Sequence, residues 1–453
     1  MRKIKYLVSL LSVISIIACN RGFIVNAAVD ENHVRDYVEE FCNDTGCSSV
    51  SVAVYTDGTA SFYGDADGLY QIGSMTKAFT GLAIQKLISE GKIDPQNTVS
   101  DFVPGFEAYF DTVKYEITVE QLLSQTSGYN NSESLYPGAD AGMTLQDWAH
   151  SMSGKELQSI PGDKYSYSNA NYNMLGSIIE QVSGESYKAY MEREILIPLG
   201  LTNTFISVDP DDKNIISGSR IGYRYAFRYE IAVTEGRIPA GYIYSNARDM
   251  ARWMEIWLGT ADIPDEYKEI VGAVKTHLNE EGDYYSGWEV FGNETIGHSG
   301  GTPNYSSRMV FDQKDKTGVL VLTDLNVAAS TDSLCNGIYS FVSKGDKTGI
   351  ATDVWTVFDI IFSIASVAGV LLAVAAFCIR RRNALIILGL AVALLVISIC
   401  ISLPLIFGAG LGDIIFVWAP YSFAGALVLL IIDILLFGIK FWMLKEKCGS
   451  KKD

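Results

Sequence analysis

The sequence has few residues of the kinds that bind metal ions. It contains 4 histidines and 7 cysteines in 453 residues. No Cys-x-x-Cys pair occurs, and no two histidines have the spacing of metal ligands. We therefore expect no metal ion, and the sequence points to no other cofactor. Cys42 and Cys47 are near enough in the chain to form a small disulfide bond, a question that the sequence leaves open.

Positive charge is scarce outside the two ends of the chain. The formal net charge is -17 at pH 7, yet the first 28 residues and the C-terminal part are each basic, so the middle is strongly acidic. An acidic domain repels the phosphate backbone, which argues against nucleic acid as a partner. We interpret the negative charge as favouring solubility rather than as attraction for a basic substrate.

Long apolar runs occur only at the two ends. Residues 1–28 combine a basic start, an apolar core and the small-residue pattern Val25-Asn26-Ala27, which are typical of a secretory signal peptide. Ile16-Ile17-Ala18-Cys19 also resembles a lipobox, in which Cys19 would be lipidated, and an uncleaved anchor is a third interpretation. The signal-peptide interpretation places the following domain outside the cytoplasm.

Near the C-terminus, apolar runs are long enough to cross a membrane, since about 20 helical residues span a ~30 Å hydrocarbon layer. These runs are Val357–Ile379, Ala384–Ile406 and Val417–Ile439. Arg380-Arg381-Arg382 lies between the first two, and lysines follow the third, so these segments are predicted to face the cytoplasm. The predicted domains are a signal peptide (1–28), an extracytoplasmic domain (29–350) and a three-helix transmembrane region with a cytoplasmic C-terminus (356–453).

Asp433 lies inside the third apolar run. A carboxylate in lipid is costly and by default suggests a function. The interpretation that we favour is that Asp433 pairs with the arginines at 380–382 near the inner leaflet.

Between the apolar ends, the order of strand and helix patterns indicates the fold class. Strands are predicted at Ser48–Tyr55, Ala60–Tyr63, Thr295–Phe311 and Gly318–Asp324. Helices are predicted at Asp30–Phe41, Ala78–Lys86, Thr118–Gln125, Leu145–Met152, Met174–Val182, Met191–Leu199, Ala247–Leu258 and Asn326–Val342. An Asp57-Gly58 turn joins the first two strands. This layout predicts an α+β fold with one sheet assembled from distant segments.

The stretch Gly73-Ser74-Met75-Thr76-Lys77 opens an apolar helical run. A spacing of three places Ser74 and Lys77 on one helix face, one turn apart. A serine hydroxyl is a poor nucleophile until a base accepts its proton. Lysine can be that base if burial and the positive end of the helix lower its pKa from about 10.4. An isolated Ser-x-x-Lys would be an ordinary helix start, but two partner motifs follow.

The second and third motifs supply partners for Ser74. Tyr167-Ser168-Asn169 places a phenol and a carboxamide side by side, able to transfer a proton to Ser74 and to hold a substrate carbonyl. His298-Ser299-Gly300-Gly301 has small residues along which a substrate backbone can lie as an added strand. We expect the Gly301 N–H beside the Ser74 N–H, as an oxyanion-binding pair. The alternatives are a structural tyrosine-rich loop and a structural His298.

In this order the motifs resemble those of the penicillin-recognising serine hydrolases, above all the class C β-lactamase branch with its DD-peptidase and esterase relatives. The resemblance runs over residues 30–345 and includes Leu122–Gly128, Pro198–Thr202, Asp249–Trp253 and Ser286–Trp288. It implies a β-lactamase/DD-peptidase-like fold. In that fold an antiparallel sheet flanked by helices lies against a helical lobe, with the active site between them.

The resemblance also implies roles for the motif residues. Ser74 would be acylated, Lys77 and Tyr167 would transfer protons, and the N–H groups of Ser74 and Gly301 would bind the oxyanion. Tyr167 would protonate the leaving group and then help water attack the acyl-enzyme. Substrate contacts would come from Asn169, His298, Ser299 and Gly300. The implied partner is a small peptide-like substrate, with no cofactor.

One residue departs from the family pattern. The β-lactamases of this branch usually begin the third motif with lysine, whereas this chain has His298, whose ordinary pKa of about 6.5 leaves it mostly neutral. The permanent cation that would hold a β-lactam carboxylate is missing, which favours a peptidase or an esterase. Asn304-Tyr305 also replaces the more usual Gly-Phe near the substrate.

The order of signal peptide, hydrolase domain and three spans is similar to that of the colibactin-maturing peptidase and its relatives, which remove an N-acyl-D-asparagine cap from an exported prodrug. The sequence thus predicts a membrane-anchored serine hydrolase acting on an amide bond of a prodrug or cell-wall peptide with a D-residue. An esterase or a β-lactamase is the alternative within the family. A non-catalytic sensor that binds penicillin or peptide is the alternative of another class.

Overall fold

The structure is a computed structural model that describes residues 31–130, 142–209, 211–281, 283–291 and 295–449. The predicted signal peptide, with Cys19, lies outside these residues. The strands are β1 (Val50–Thr56), β2 (Thr59–Gly64), β3 (Tyr70–Gln71), β4 (Ala108–Phe110), β5 (Val113–Tyr115), β6 (Ser219–Gly222), β7 (Tyr225–Arg228), β8 (Tyr244–Ser245), β9 (Tyr284–Tyr285), β10 (Trp288–Phe291), β11 (Thr295–Gly301), β12 (Ser306–Asp312) and β13 (Thr317–Thr323).

The helices lie before, between and after these strands. They are α1 (Glu31–Thr45), α2 (Thr76–Ser89), α3 (Val99–Phe102), α4 (Val119–Leu123), α5 (Leu145–Ser151), α6 (Asn169–Ser183), α7 (Tyr187–Met191), α8 (Ile197–Leu199), α9 (Ile238–Gly241), α10 (Ala247–Leu258), α11 (Asp265–Glu281), α12 (Ala328–Lys344), α13 (Val354–Cys378), α14 (Arg382–Phe407), α15 (Leu411–Asp413) and α16 (Tyr421–Gly449).

The central sheet joins the beginning and the end of the predicted domain at 29–350. Its seven strands are antiparallel in the order β2-β1-β13-β12-β11-β10-β9, and Val50 of β1 lies opposite Thr323 of β13. The predicted α+β fold, with one sheet assembled from distant segments, is therefore confirmed. The Asp57-Gly58 turn is confirmed as well, since both residues have the positive φ angles, 52° and 79°, that a tight hairpin turn requires.

One predicted strand is wrong in its extent. The segment Thr295–Phe311 forms two strands, β11 and β12, rather than one. Between them the Thr302 N–H donates to the Tyr305 carbonyl at 2.9 Å, closing a tight turn. Pro303 lies in that turn and has no N–H to contribute to a strand ladder.

Apolar side chains alternate between the two faces of the sheet. On one face Val52 and Val54 pack with the apolar sides of α1 and α12. On the other face Ala53 and Tyr55 belong to the larger core that contains α2 and α10. There Phe79 stacks on Trp253 with ring centroids 4.0 Å apart, a pair worth about 0.5–1.5 kcal/mol beyond its buried area. This packing holds α2, which begins just after Ser74, firmly against the sheet.

Helix α6 begins earlier than the sequence pattern indicated. It starts at Asn169 rather than Met174, because the Ser168 hydroxyl accepts from the Ala170 N–H at 3.2 Å and caps the helix. The Tyr-x-Asn motif therefore lies at a helix N-terminus, next to α2.

Among the described residues, three helices are long and apolar enough to cross a membrane: Val354–Cys378, Arg382–Phe407 and Tyr421–Lys445. The third starts four residues later than the predicted Val417 because Pro420 disfavours helix in the residue before it, and Ala419 is extended (ψ 154°). Residues 408–420, called the connector below, join α14 to α16 and contain a single π-helical turn, Ile414–Trp418.

Two side-chain pairings considered from the sequence are not formed. Asp433 lies fully buried beside Gly369 of α13, and its oxygens have no hydrogen-bond partner among the described residues. It therefore does not pair with the arginines at 380–382. Cys42 and Cys47 are free thiols, and the Cys47 thiol donates to Asp324 at 2.9 Å.

Candidate active site

Ser74 lies at the junction of the sheet and α2. It is the middle residue of a single 3-10 turn, Gly73–Met75, that leads directly into the helix. Lys77 lies one turn further on, and its Nζ is 2.9 Å from the Ser74 Oγ. The structure thus brings together the two residues whose spacing suggested a shared helix face.

Lys77 is fully buried, and carbonyl oxygens occupy its other contacts. Its amine donates to the Asn169 side-chain oxygen at 2.7 Å and to the Ala240 carbonyl at 2.6 Å. Burial lowers the pKa of Lys77 well below its usual range, against a raising influence of the Glu289 carboxylate. A neutral amine has two N–H bonds and one lone pair. The two carbonyls use the N–H bonds, which leaves the lone pair for the Ser74 proton.

Tyr167 approaches Ser74 from the helical lobe. Its phenol is hydrogen-bonded to Ser74, and its ring centroid is 4.9 Å from the Lys77 Nζ. Burial raises the pKa of Tyr167 well above its usual range, although the Ser74 hydrogen bond acts to lower it. Tyr167 therefore keeps its proton at neutral pH and can donate it, whereas Lys77 can accept one.

A close backbone approach brings β11 to the Ser74 turn. Gly73 has a φ of +54°, and a Cβ built on it would lie 2.4 Å from the Gly301 nitrogen. A Cβ on Gly300 would lie 2.2 Å from the Ile72 carbonyl oxygen. Only glycine permits this contact, which places Gly301 beside Ser74 in one cavity wall.

Gly73→Ala is expected to lower the rate of Ser74 acylation by about 10²–10³, the cost of losing one oxyanion donor. The added methyl group would force β11 and its Gly301 N–H away from Ser74. Covalent labelling by a fluorophosphonate measures this rate.

Gly91→Ala is the matched control, because Gly91 has a φ of +69° but no atom within 4 Å of the position that an added Cβ would take. It carries the same left-handed strain, of about 1–2 kcal/mol, without the clash. Equal labelling rates in the two variants would contradict the close-approach argument.

The third motif divides between two environments. His298 is buried, with its Nε2 3.3 Å from the Tyr284 hydroxyl and its Nδ1 2.6 Å from the Ser299 carbonyl oxygen. Burial, followed by the nearby Lys77, lowers the pKa of His298 to about 3, so the ring is neutral. The Ser299 hydroxyl instead donates to Asp332 at 3.0 Å and accepts from Arg308 at 2.6 Å. The structure thus brings His298 near Tyr167 and directs the Ser299 side chain elsewhere.

The rate of labelling is expected to fall as the pH falls through the pKa of Lys77, since protonated Lys77 cannot accept the Ser74 proton. His298→Gln is expected to retain this acidic limb, because a histidine with a pKa of about 3 does not titrate at higher pH. The measurement is a pH profile of labelling for both proteins. Disappearance of the limb in the variant would identify His298 as the titrating group instead.

A cavity of about 130 Å³ opens beside Ser74. Predicted residues in its lining are Ser74, Tyr167, Asn169 and Gly301. Sequence reasoning missed Arg237, Tyr242 and Trp418, which also line it. Arg237 is a basic residue of this lining, although the third motif lacks its lysine. None of these residues belongs to a motif, and Trp418 fell inside a predicted membrane span, so no local signal identified them.

The described residues contain no group of three or more His, Cys, Asp or Glu side chains that could hold a metal ion.

Comparison with known proteins gives a match to one family model. The model described as "Beta-lactamase" matches residues 32–337. "Protein flp" of Staphylococcus aureus (strain NCTC 8325 / PS 47) is 33% identical over 266 residues, covering 57% of this chain and 53% of that protein. "Putative D-alanyl-D-alanine carboxypeptidase" of Escherichia coli (strain K12) is 29% identical over 293 residues, covering 56% of this chain and 66% of that protein. The chain thus spans about half the length of the flp proteins that it matches.

Solved structures of similar fold agree with this match. The octameric penicillin-binding protein homologue from Pyrococcus abyssi superposes with a TM-score of 0.59 at 22% identity, covering 74% of this chain and 81% of that one. A class C beta-lactamase superposes with a TM-score of 0.60 at 17% identity, covering 73% and 100%. At such identities these likenesses concern the fold alone.

Proposed function

This chain belongs to the beta-lactamase family, and from that premise we propose that it is a serine hydrolase that forms an acyl-enzyme at Ser74 and cleaves an amide bond. The observation that carries the proposal is the 2.9 Å contact between the Lys77 amine and the Ser74 hydroxyl. A buried lysine with a lowered pKa next to a serine supplies the base that nucleophilic catalysis needs.

In the proposed acylation, the Ser74 Oγ bonds to the substrate carbonyl carbon as its proton moves to Lys77. The N–H groups of Ser74 and Gly301 stabilise the resulting oxyanion. The carbon–nitrogen bond then breaks as Tyr167 donates its phenolic proton to the leaving amine, and Tyr167 recovers a proton from Lys77. Water attacks the acyl-enzyme by the reverse route, which releases the acid and regenerates Ser74.

We propose a peptide-like substrate with a D-residue. The Escherichia coli relative, whose name specifies a D-alanyl-D-alanine carboxypeptidase, supports this substrate class. Arg237 in the cavity wall supports a substrate with a carboxylate, since a guanidinium binds carboxylates well. Asn169 is proposed to contact the substrate, and His298 and Gly300 to shape the edge along which it binds. The cell-wall peptide and the N-acyl-D-asparagine prodrug are the two candidate substrates.

The location proposed for this reaction is the outer side of the cytoplasmic membrane. Residues 1–28 are proposed to direct export, and the domain at 29–350 to act outside. The three apolar helices at 356–453 would then anchor it, with Arg380–Arg382 and the C-terminus in the cytoplasm. Arg380–Arg382 and the lysines after the third helix support this topology, because basic segments next to membrane spans favour the cytoplasmic side.

A substrate panel tests the proposed function. The full-length protein is incubated with an N-acyl-D-asparagine peptide, a peptide ending in D-alanyl-D-alanine and a short-chain ester, and the Ser74 peptide is examined by mass spectrometry. We expect turnover of one of the amides with a transient acyl adduct on Ser74. Turnover of the ester alone would indicate an esterase, and stable acylation without turnover would favour the sensor.

A further inference from the structure

The wall of the Ser74 cavity includes a residue from the membrane region. Trp418 lines the cavity together with Ser74, Tyr167 and Gly301. It lies in the connector, three residues before the start of α16, and it is partly buried. A substrate in the cavity therefore meets an indole ring that follows two membrane helices in sequence.

Arg220 fixes the connector to the hydrolase domain. Its three guanidinium nitrogens donate to connector carbonyls, at 2.6 Å to Ile415, at 2.9 Å to Phe416 and also to Ala419. The Tyr421 ring lies 4.8 Å from the guanidinium carbon. Arg220 is 3% exposed, and a buried guanidinium is tolerated only where its N–H groups are satisfied. Its hydrogen bonds therefore define one position for the connector.

A second contact holds the β6–β7 hairpin, which contains Arg220, to the first membrane helix. The carboxylate of Asp359, in α13, accepts from the backbone N–H groups of Tyr223 at 2.8 Å and Arg224 at 2.7 Å, at the turn between β6 and β7. It also accepts from the Ser422 hydroxyl of α16 at 2.7 Å. One fully buried carboxylate thus joins the hairpin to two membrane helices. With two anchors, the connector cannot swing away from the cavity as a flexible loop would.

We propose that the connector, residues 408–420, is a wall of the substrate site in which Trp418 selects an apolar group next to the scissile bond. The proposal rests on the proposed function of Ser74. Arg220 is a positioning residue, because it acts on the substrate only through the connector. The membrane helices therefore contribute to substrate selection in addition to anchoring.

Two fluorophosphonates that share one leaving group test this proposal, one with a methyl chain and one with an octyl chain. Their rates of Ser74 labelling are compared in the full-length protein in detergent micelles. The wild type is expected to react faster with the octyl probe. Trp418→Ala is expected to lower that preference, the ratio of the octyl rate to the methyl rate, by about 10–200-fold, the range that one methylene contributes in an apolar pocket. Trp418→Phe is expected to restore it.

Phe416→Ala is the control, since Phe416 is a connector residue with a 70% exposed side chain outside the cavity lining. It is expected to keep the octyl preference. Arg220→Gln is expected to lower the octyl rate more than the methyl rate, whereas a merely structural role would lower both rates equally. Should Trp418→Ala react with neither probe, Trp418→Gln, which keeps bulk but is polar, measures the selectivity.

The outcomes separate this inference from the proposed function. A wild type that reacts with neither probe contradicts the function proposed for Ser74. If the wild type reacts with both probes but shows no octyl preference, the role of Trp418 is overturned and the proposed function is not. The same holds if the octyl preference survives in Trp418→Ala and Trp418→Gln.

Discussion

Ser74→Ala is expected to abolish covalent labelling of the full-length protein by a fluorophosphonate or a fluorescent penicillin. The methyl side chain removes the oxygen that would bond to the probe, while the Gly73–Met75 turn and α2 retain their backbone. Residual turnover of any amide substrate should fall to background for the same reason. The measurement is in-gel fluorescence after labelling, with the labelled peptide identified by mass spectrometry.

Ser89→Ala is the matched control for this variant. Ser89 lies at the other end of α2, is exposed, and its hydroxyl donates to the Lys86 carbonyl at 2.8 Å, away from the cavity. Labelling of this variant should equal that of the wild type. Equal labelling of Ser74→Ala and the wild type would mean that another residue is the nucleophile.

Lys77→Met is expected to slow Ser74 labelling by about 10²–10⁴, the usual contribution of a positioned general base. Methionine fills similar space but has no lone pair of comparable basicity for the Ser74 proton. Lys77→Arg should not restore the rate, because a guanidinium remains protonated and cannot accept the proton. The rate is measured by stopping the labelling reaction at increasing times, and a thermal melt checks that each variant is folded.

Lys86→Met serves as the control on the same helix. Lys86 is 6% exposed and pairs with Glu90 at 2.6 Å and Glu266 at 3.0 Å. Burial acts to lower the pKa of Lys86, but these carboxylates raise it overall, so this lysine stays charged. Its loss should reduce stability and leave the labelling rate intact. A comparable loss of labelling in both variants would point to damage to α2 rather than to a missing base.

Local sequence patterns predicted those parts of the fold and of the site that lie within one short stretch of the chain. The spacing of Ser74 and Lys77 requires only that the chain be helical there, and the Asp57-Gly58 hairpin requires only the conformational freedom of its turn residues. The order of the three motifs was also informative, because each carries a reactive group or a close-approach glycine. These are properties of neighbouring residues, which a sequence displays directly.

Other parts of the site depend on contacts between distant segments. The Ala240 carbonyl completes the environment of Lys77 at 2.6 Å, yet a backbone oxygen leaves no trace in the residue types. Arg237 and Trp418 stand in no motif, and their presence in the cavity follows from tertiary packing. Pro420 was the one available signal, because a proline disfavours helix in the residue before it. Starting the third span after Pro420 would have placed Trp418 outside that span.

The pairing of β1 with β13 has a consequence for the timing of activity. A ribosome delivers Val50 long before Thr323, so the middle of the sheet stays incomplete until nearly the whole hydrolase domain has emerged. The glycine contact between Gly73 and Gly301 must wait equally long, and Trp418 arrives only after two further apolar helices have been synthesised. Nascent chains would therefore be inert until β13 has been synthesised, and the selectivity proposed for Trp418 would appear only afterwards.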